Sequence, residues 1–237
     1  MLSRRIANVL VAAVAGAAVL AAGCAGFGTF GGRPAEPTQA ISDLALPSAK
    51  TSRFLTQKHF VTQWLVLGPF AFAEADFGGD QQQAATDNAF MPREASLDGT
   101  QTPPEGATWR ARNFQGDFQA GRVDLDALYK TPEHAAAYAV AWLHCPEAVS
   151  DAKLLMGSDD YLKVWINGKL VHTYKEKRRA SEWDQDTIDG IKLRKGYNHV
   201  VVKCVDVVFD WEFYFRLTDK DGRPITVTAR TAPPKTK

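Results

Sequence analysis

Absences narrow this chain of 237 residues before any motif does. Basic and acidic side chains nearly cancel, 28 against 27. Without Arg4 and Arg5 the balance is 26 to 27. No surplus of positive charge is available to neutralise phosphates, so no nucleic-acid partner is expected. Cysteine is scarce, three in all, and neither Cys-x-x-Cys nor His-Glu-x-x-His occurs, which removes those zinc signatures. Gly-x-Ser-x-Gly is missing. Gly78-Gly79 lies in a polar stretch with no helical pattern after it, so there is no phosphate loop either. The five histidines are scattered, and nothing selects a catalytic pair of carboxylates. The expectation is a protein that is not an enzyme. No segment carries a long 3.6-residue period, which excludes a helical bundle.

What is present begins with an apolar run over residues 6–23, broken only by Asn8 and preceded by Arg4 and Arg5. A basic start, an apolar stretch and small residues at its end define a secretory signal. The run is short for a membrane span and rich in Ala and Gly. Residues 24–52 hold Gly, Pro, Ser, Thr and Ala with few large apolar side chains, the composition of a flexible tether. Residues 53–230, roughly 180 of them, suit one domain with a sizeable core. Residues 231–237 are read as a disordered tail.

Within that domain strand signals dominate. Runs rich in β-branched and aromatic residues occupy 60–67, 109–114, 122–128, 137–145, 153–156, 161–166, 169–174, 187–193, 198–207, 211–217 and 225–228, with turn residues between them. Gly68-Pro69 is expected to stop the first. Residues 71–104 are polar and rich in Gln, Gly, Asp and Pro, and read as long loops. A turn or two of helix is expected near 132–136. Many short strands predict an all-β sandwich or barrel. Asn167-Gly168 between two such runs is the sharpest local signal, because a type I′ turn needs positive φ at both central residues. A two-residue turn there sets Ile166 opposite Lys169, Trp165 opposite Leu170, Val164 opposite Val171, Lys163 opposite His172 and Tyr161 opposite Tyr174.

Two resemblances follow from these residues. Cys24 after Ala21-Ala22-Gly23 resembles the bacterial lipobox, with Ala21 where that family usually has Leu and Leu20 one step earlier. The resemblance implies cleavage before Cys24, lipid on its thiol (a diacylglyceryl group, with palmitate-type acylation of the new N-terminus) and a lipid bilayer as partner. Ala25, where an inner-membrane protein would carry Asp, implies the outer membrane of the cell envelope. Gly157-Ser-Asp-Asp-Tyr-Leu-Lys-Val-Trp-Ile-Asn-Gly168 resembles the galactose-binding-domain-like jelly roll, a β-sandwich of two antiparallel sheets. Similar hairpins occur in the sugar-binding domain of family 2 glycosidases and in protective-antigen-type lectin domains. Trp64-Leu-Val-Leu-Gly-Pro-Phe70, Tyr138-Ala-Val-Ala-Trp142, Leu193-Arg-Lys-Gly-Tyr-Asn198 and Trp211-Glu-Phe-Tyr-Phe-Arg-Leu217 resemble other strands of that fold, in the same order.

The jelly-roll resemblance implies a carbohydrate-binding protein. A structural or protein-interaction lipoprotein of the cell envelope, without sugar affinity, is the alternative, and a glycan-acting hydrolase or lyase the more distant one. Trp183, in the polar loop Ser181-Glu-Trp-Asp-Gln-Asp186, is the first candidate for an aromatic platform under a sugar ring, and Trp211 the second. Trp64, Trp142 and Trp165 sit in apolar strands and are expected in the core. Asp159-Asp160 invites two readings. In protective-antigen-type lectins a similar pair ligates calcium, with Asp184, Asp186 or Asp189 as further oxygens brought near by folding. Otherwise Ser-Asp-Asp caps a turn. Lys175, Lys177, Arg178 and Arg179 read as a solvated loop. Cys145 and Cys204 either form a disulfide, which export permits, or remain two buried thiols.

Overall fold

The computed structural model describes residues 59–73, 75–76, 81–115, 120–130 and 133–235. The expected signal segment, Cys24 and the tether lie outside the described residues. The strands are β1 (Gln63–Ala71), β2 (Thr108–Asn113), β3 (Val123–Asp124), β4 (Ala135–Cys145), β5 (Val149–Asp159) and β6 (Tyr161–Ile166). They continue with β7 (Lys169–Tyr174), β8 (Asp186–Leu193), β9 (Gly196–Asp206), β10 (Glu212–Thr218) and β11 (Thr228–Arg230). Two short helices interrupt them, α1 (Gln81–Asp87) and α2 (Leu125–Tyr129). One sheet runs β2-β1-β4-β9-β6-β7, with β11 added against β4; the other runs β3-β10-β5-β8. Every pairing is antiparallel. The chain is the all-β sandwich of two antiparallel sheets that its strand pattern predicts.

The alternation along β4 explains how the sheets meet. Ala137, Ala139 and Ala141 face the space between the sheets, where Trp64, Phe213 and Phe215 lie. The methyl row leaves room for these rings: Trp64 meets Phe213 and Phe215 edge-on at 5.4 and 5.5 Å. Tyr138, Val140 and Trp142 point to the opposite face and belong to a second apolar cluster with Leu65, Leu67, Tyr161, Trp165, Val201 and Val205. A sandwich needs only one buried face per sheet, so this outer cluster needs a lid. Phe72 and the described residues 81–107 supply it. Phe72, Ala85, Met91, Leu97 and Ala107 lie buried over the large sheet.

This cover corrects the loop expectation for 71–104: α1 and a 3-10 turn at Glu94–Ser96 fall inside it. Lys203, on β9 and wholly buried, fastens it. The Lys203 ammonium donates to the carbonyls of Ala85 at 3.0 Å, Thr86 at 2.9 Å and Asn88, and stands 3.3 Å from Glu94 Oε1. These carbonyls lie at the end of α1, which has no basic residue of its own in its last turn. Tyr138 donates its hydroxyl to Glu94 at 2.6 Å, and His199 Nε2 lies 2.8 Å from the Leu97 carbonyl.

Other expectations shift in detail. β1 passes through Gly68-Pro69 with a register irregularity between Leu67 and Phe70, so that dipeptide bends the strand without ending it. The 122–128 run divides into β3 and α2, whose first turn is capped by Asp124 accepting from Ala127 N at 2.7 Å. Residues 135–136, expected as helix, open β4. At the hairpin Ile166 faces Lys169 and Trp165 faces Leu170 as expected, but Val164 then faces His172, and Leu162 faces Tyr174. One extra residue, Val171, is a bulge. It moves each later pairing by one position and leaves Val171 packed against the inner core.

Cys145 and Cys204 are free, buried thiols, which corrects the disulfide alternative. Cys204 stands opposite Ala137 in the β4–β9 pair, eight positions along β4 from Cys145, roughly 26 Å of strand. A bridge needs Cα atoms within about 7 Å.

Candidate functional site

At one end of the sandwich β5 turns into β6 through Asp159 and Asp160, whose joining peptide is cis. Both side chains are largely buried. Asp160 accepts from Val207 N at 3.0 Å and from Arg179 N at 3.3 Å. Arg179 lies flat on Tyr174, 3.5 Å from the ring centre, and its guanidinium forks onto Asp186 at 2.8 and 2.5 Å. It also donates to the Ser158 carbonyl and hydroxyl. His172 Nε2 is 3.0 Å from the same Asp186. This network fixes the 175–185 segment against the end of β5. Gly157 lets it come close, since a Cβ there would sit 1.8 Å from the Glu182 carbonyl.

Facing that segment across an open groove of about 640 Å³ is the loop after β9. Asp159, Asp160, Arg178, Phe209 and Asp210 are among the residues lining it. Phe209 is the most exposed large apolar side chain among the described residues, at 76 %. Its backbone is left-handed, with φ 78°, a conformation costing a bulky residue on the order of 1–3 kcal/mol. The Arg178 guanidinium sits 5.5 Å from its ring centre. An apolar ring thus stands in water beside carboxylates and a guanidinium.

No family model matches the chain and no curated protein matches it. Among solved structures it is similar to the PA14 sugar-binding domain from an RTX adhesin, with TM-score 0.39, 13 % identity, and coverage of 73 % of this chain and 100 % of that one. It is also similar to the PA14 domain of the MpAFP antifreeze protein, at TM-score 0.36 and 18 % identity, covering 44 % of this chain and 56 % of that one. The chain thus spans little more than half of that domain. A third likeness is to the Epithelial Adhesin 9 A domain of Candida glabrata in complex with Galβ1-4GlcNAc, at TM-score 0.36 and 10 % identity, covering 71 % of this chain and 85 % of that one. Likeness of this degree says nothing about what this chain binds.

The electrostatics at this end of the sandwich come from the groove's carboxylates and from Asp206 at the end of β9. Burial, then the charges of Asp160, Asp210 and Glu212, push Asp159 up to about 8. Burial, then Asp160, Glu133, Asp126 and Asp159, push Asp206 up to about 8 as well. Burial also raises Asp160, against the pull of the Val207 amide and Arg178. Asp206 Oδ1 is buried with no hydrogen-bond partner among the described residues. Calcium takes six to eight oxygens from carboxylates, backbone carbonyls and water, and that is the test for the expected Asp159-Asp160 site. Among the described residues no three acidic, histidine or cysteine side chains come together to hold a metal ion, and both Asp160 oxygens already accept backbone amides. The residues present therefore do not fit a resident calcium ion.

The other expected ligands are engaged elsewhere. Asp184 forks onto Arg216 at 2.6 and 2.5 Å, Asp186 onto Arg179, and Asp189 lies 3.5 Å from Lys153. Trp211 is corrected as a platform. It is wholly buried, stacked on Tyr129 at 5.5 Å, and supports the groove loop from behind. Trp183 is 42 % exposed but packs on Phe60 and Tyr214 at 5.6 and 6.5 Å, outside the groove. Lys177 and Arg178 are exposed, as a solvated loop predicts, whereas Arg179 is half-buried and braces the groove that both arginines line. Phe209 and Asp206 were missed by sequence reading. The available signal was Val207-Val208-Phe209, an apolar run continuing to the strand's end and beyond it.

Proposed function

We propose that this chain is a non-enzymatic, lipid-anchored glycan-binding protein whose binding surface is the groove between Asp159-Asp160 and the loop carrying Phe209. The observation that carries the reading is Phe209, held exposed in a strained backbone beside buried carboxylates. A flat apolar ring can lie under the C–H face of a pyranose while neighbouring charged groups take its hydroxyls. Trp183 offers a separate platform on the outer face of the small sheet. The anchor is lipid on Cys24, facing the outer membrane.

The test is a glycan array probed with the protein in calcium and in EDTA. Phe209→Ala should lower the strongest signals at least tenfold, about 1.4 kcal/mol. Trp183→Ala should lower them only if the second platform is used. Calcium and EDTA should give the same Tm, because an ion that binds only the native state would raise it. A blank array, or full binding by Phe209→Ala, sinks the groove reading. The exposed Leu170, 48 % accessible on the edge strand β7, favours a protein-interaction role in the cell envelope as the second reading, and co-purification of an envelope protein that Leu170→Glu abolishes would support it. Labelled palmitate incorporation lost in Cys24→Ser tests the anchor.

A further inference from the structure

The loop that presents Phe209 is short, and its fixation is unusual. Three of its alternate backbone amides each donate to a carboxylate from a different part of the chain. Val207 N reaches Asp160 Oδ2 at 3.0 Å, Phe209 N reaches Glu133 Oε2 at 2.7 Å, and Trp211 N reaches Asp126 Oδ2 at 2.9 Å. Asp160 comes from the β5–β6 junction, Glu133 from the bend before β4, and Asp126 from the first turn of α2. Asp126 is bound in return, since the Trp211 carbonyl accepts from Leu125 N at 2.9 Å and Asp126 N at 3.3 Å. Hydrogen bonds with an ionised partner are roughly twice as strong as neutral ones. The middle one falls on the residue whose φ of 78° is least favoured.

We infer that Glu133 and Asp126, which do not line the groove, are positioning residues: they set the groove's binding strength by holding the 207–211 backbone so that Phe209 stands exposed. Glu133 matters more, because nothing else in the tripod grips residue 209. The inference rests on the glycan reading for its consequence, while the positioning itself is readable without a ligand.

The experiment uses the full chain with 4-fluorophenylalanine in place of Phe209. In Glu133→Ala the single ¹⁹F resonance should shift and change width, and in Glu133→Gln, which keeps an acceptor oxygen, it should stay near the wild-type position. Glu133 is exposed, so Tm should move by less than roughly 2 °C; a larger drop with an unmoved resonance would make the residue merely structural. On the glycan array, Glu133→Ala should lower the strongest signal roughly tenfold, and less than about twofold when added to Phe209→Ala, because the two act through one ring. Losses that multiply, or an unmoved resonance, overturn the inference. If wild-type protein gives a blank array, the glycan reading falls and the ¹⁹F comparison alone decides the positioning role.

Discussion

Two irregular stretches lie against the same sandwich and solve one problem in opposite ways. Residues 81–107, which with Phe72 form the cover, and the loop 207–211 both leave backbone groups without strand partners, and a buried polar backbone group must be satisfied. In the cover a single cation, Lys203, gathers three carbonyls of 85–88. In the loop separate carboxylates take separate amides. The cover turns its large side chains inward, so Phe72, Met91 and Leu97 are buried. The loop turns Phe209 out. Charge therefore shapes irregular backbone in both places, and the direction of the aromatic separates a seal from a contact surface.

The comparison breaks most sharply at Lys203. Lys203→Ala would leave the α1 carbonyls and Glu94 buried without their cation, an error costing about 3–5 kcal/mol. Thermal unfolding should show a fall of roughly 10–15 °C. A loss below about 1 kcal/mol would mean that the cover is held by its apolar contacts alone.

A smaller effect should appear with pH. Burial lowers Lys203 from an ordinary 10.5 to about 8, Glu94 notwithstanding. The folded chain releases this proton near pH 8 and the unfolded chain keeps it until about 10.5, so between those values the unfolded chain binds more protons. Lys203 alone would raise stability by about 2 kcal/mol from pH 7.5 to 9.5. Asp159 and Asp206, pushed up to about 8, lose roughly 0.8 kcal/mol each over that range. The wild-type profile should therefore be nearly flat, and the rise should emerge in the Asp159→Asn, Asp206→Asn double variant. Above about pH 10 the buried Tyr129 and Tyr138, both raised chiefly by burial, reverse the slope, because unfolded tyrosine ionises first. Urea melts of both proteins at the two pH values measure the difference, and a flat profile in the double variant would place Lys203 in a wetter site than its burial indicates.

The smallest effect on stability belongs to the exposed ring. Phe209→Gly relieves a left-handed backbone and adds chain entropy to the unfolded state, each about 1 kcal/mol, and the two oppose. Stability should change by less than about 1 kcal/mol while glycan binding is lost. Phe70→Ala, in the closed region and 7 % exposed, should cost about 3 kcal/mol. Equal costs at the two phenylalanines would erase the distinction between seal and contact surface.

How much of this could be read from residues alone depends on the range of the signal. The two sheets were legible because alternation and Asn167-Gly168 are local. The Val171 bulge was not, since it arises from packing Val171 against the inner core rather than from the turn. The large residues of β4 were visible as an alternation, but their direction was not: the small Ala side faces the sandwich because Trp64 and Phe213, distant in sequence, fill that space. The cover looked like loop because its apolar residues are sparse and tied down by a lysine more than a hundred positions later. At the site Asp159-Asp160 was marked by its own spacing. Asp206, Glu133 and Asp126 gain their roles only when four chain segments meet.

Every hydrogen-bonded pin described on the 207–211 loop ends on the main chain and none on the side chain displayed there. The loop is thus a socket independent of what it presents. Tyrosine or tryptophan could replace Phe209 without disturbing a single pin, so the residue that meets the outside world can be exchanged while the frame beneath it stays as it is, and preference for one partner over another becomes a matter of one codon.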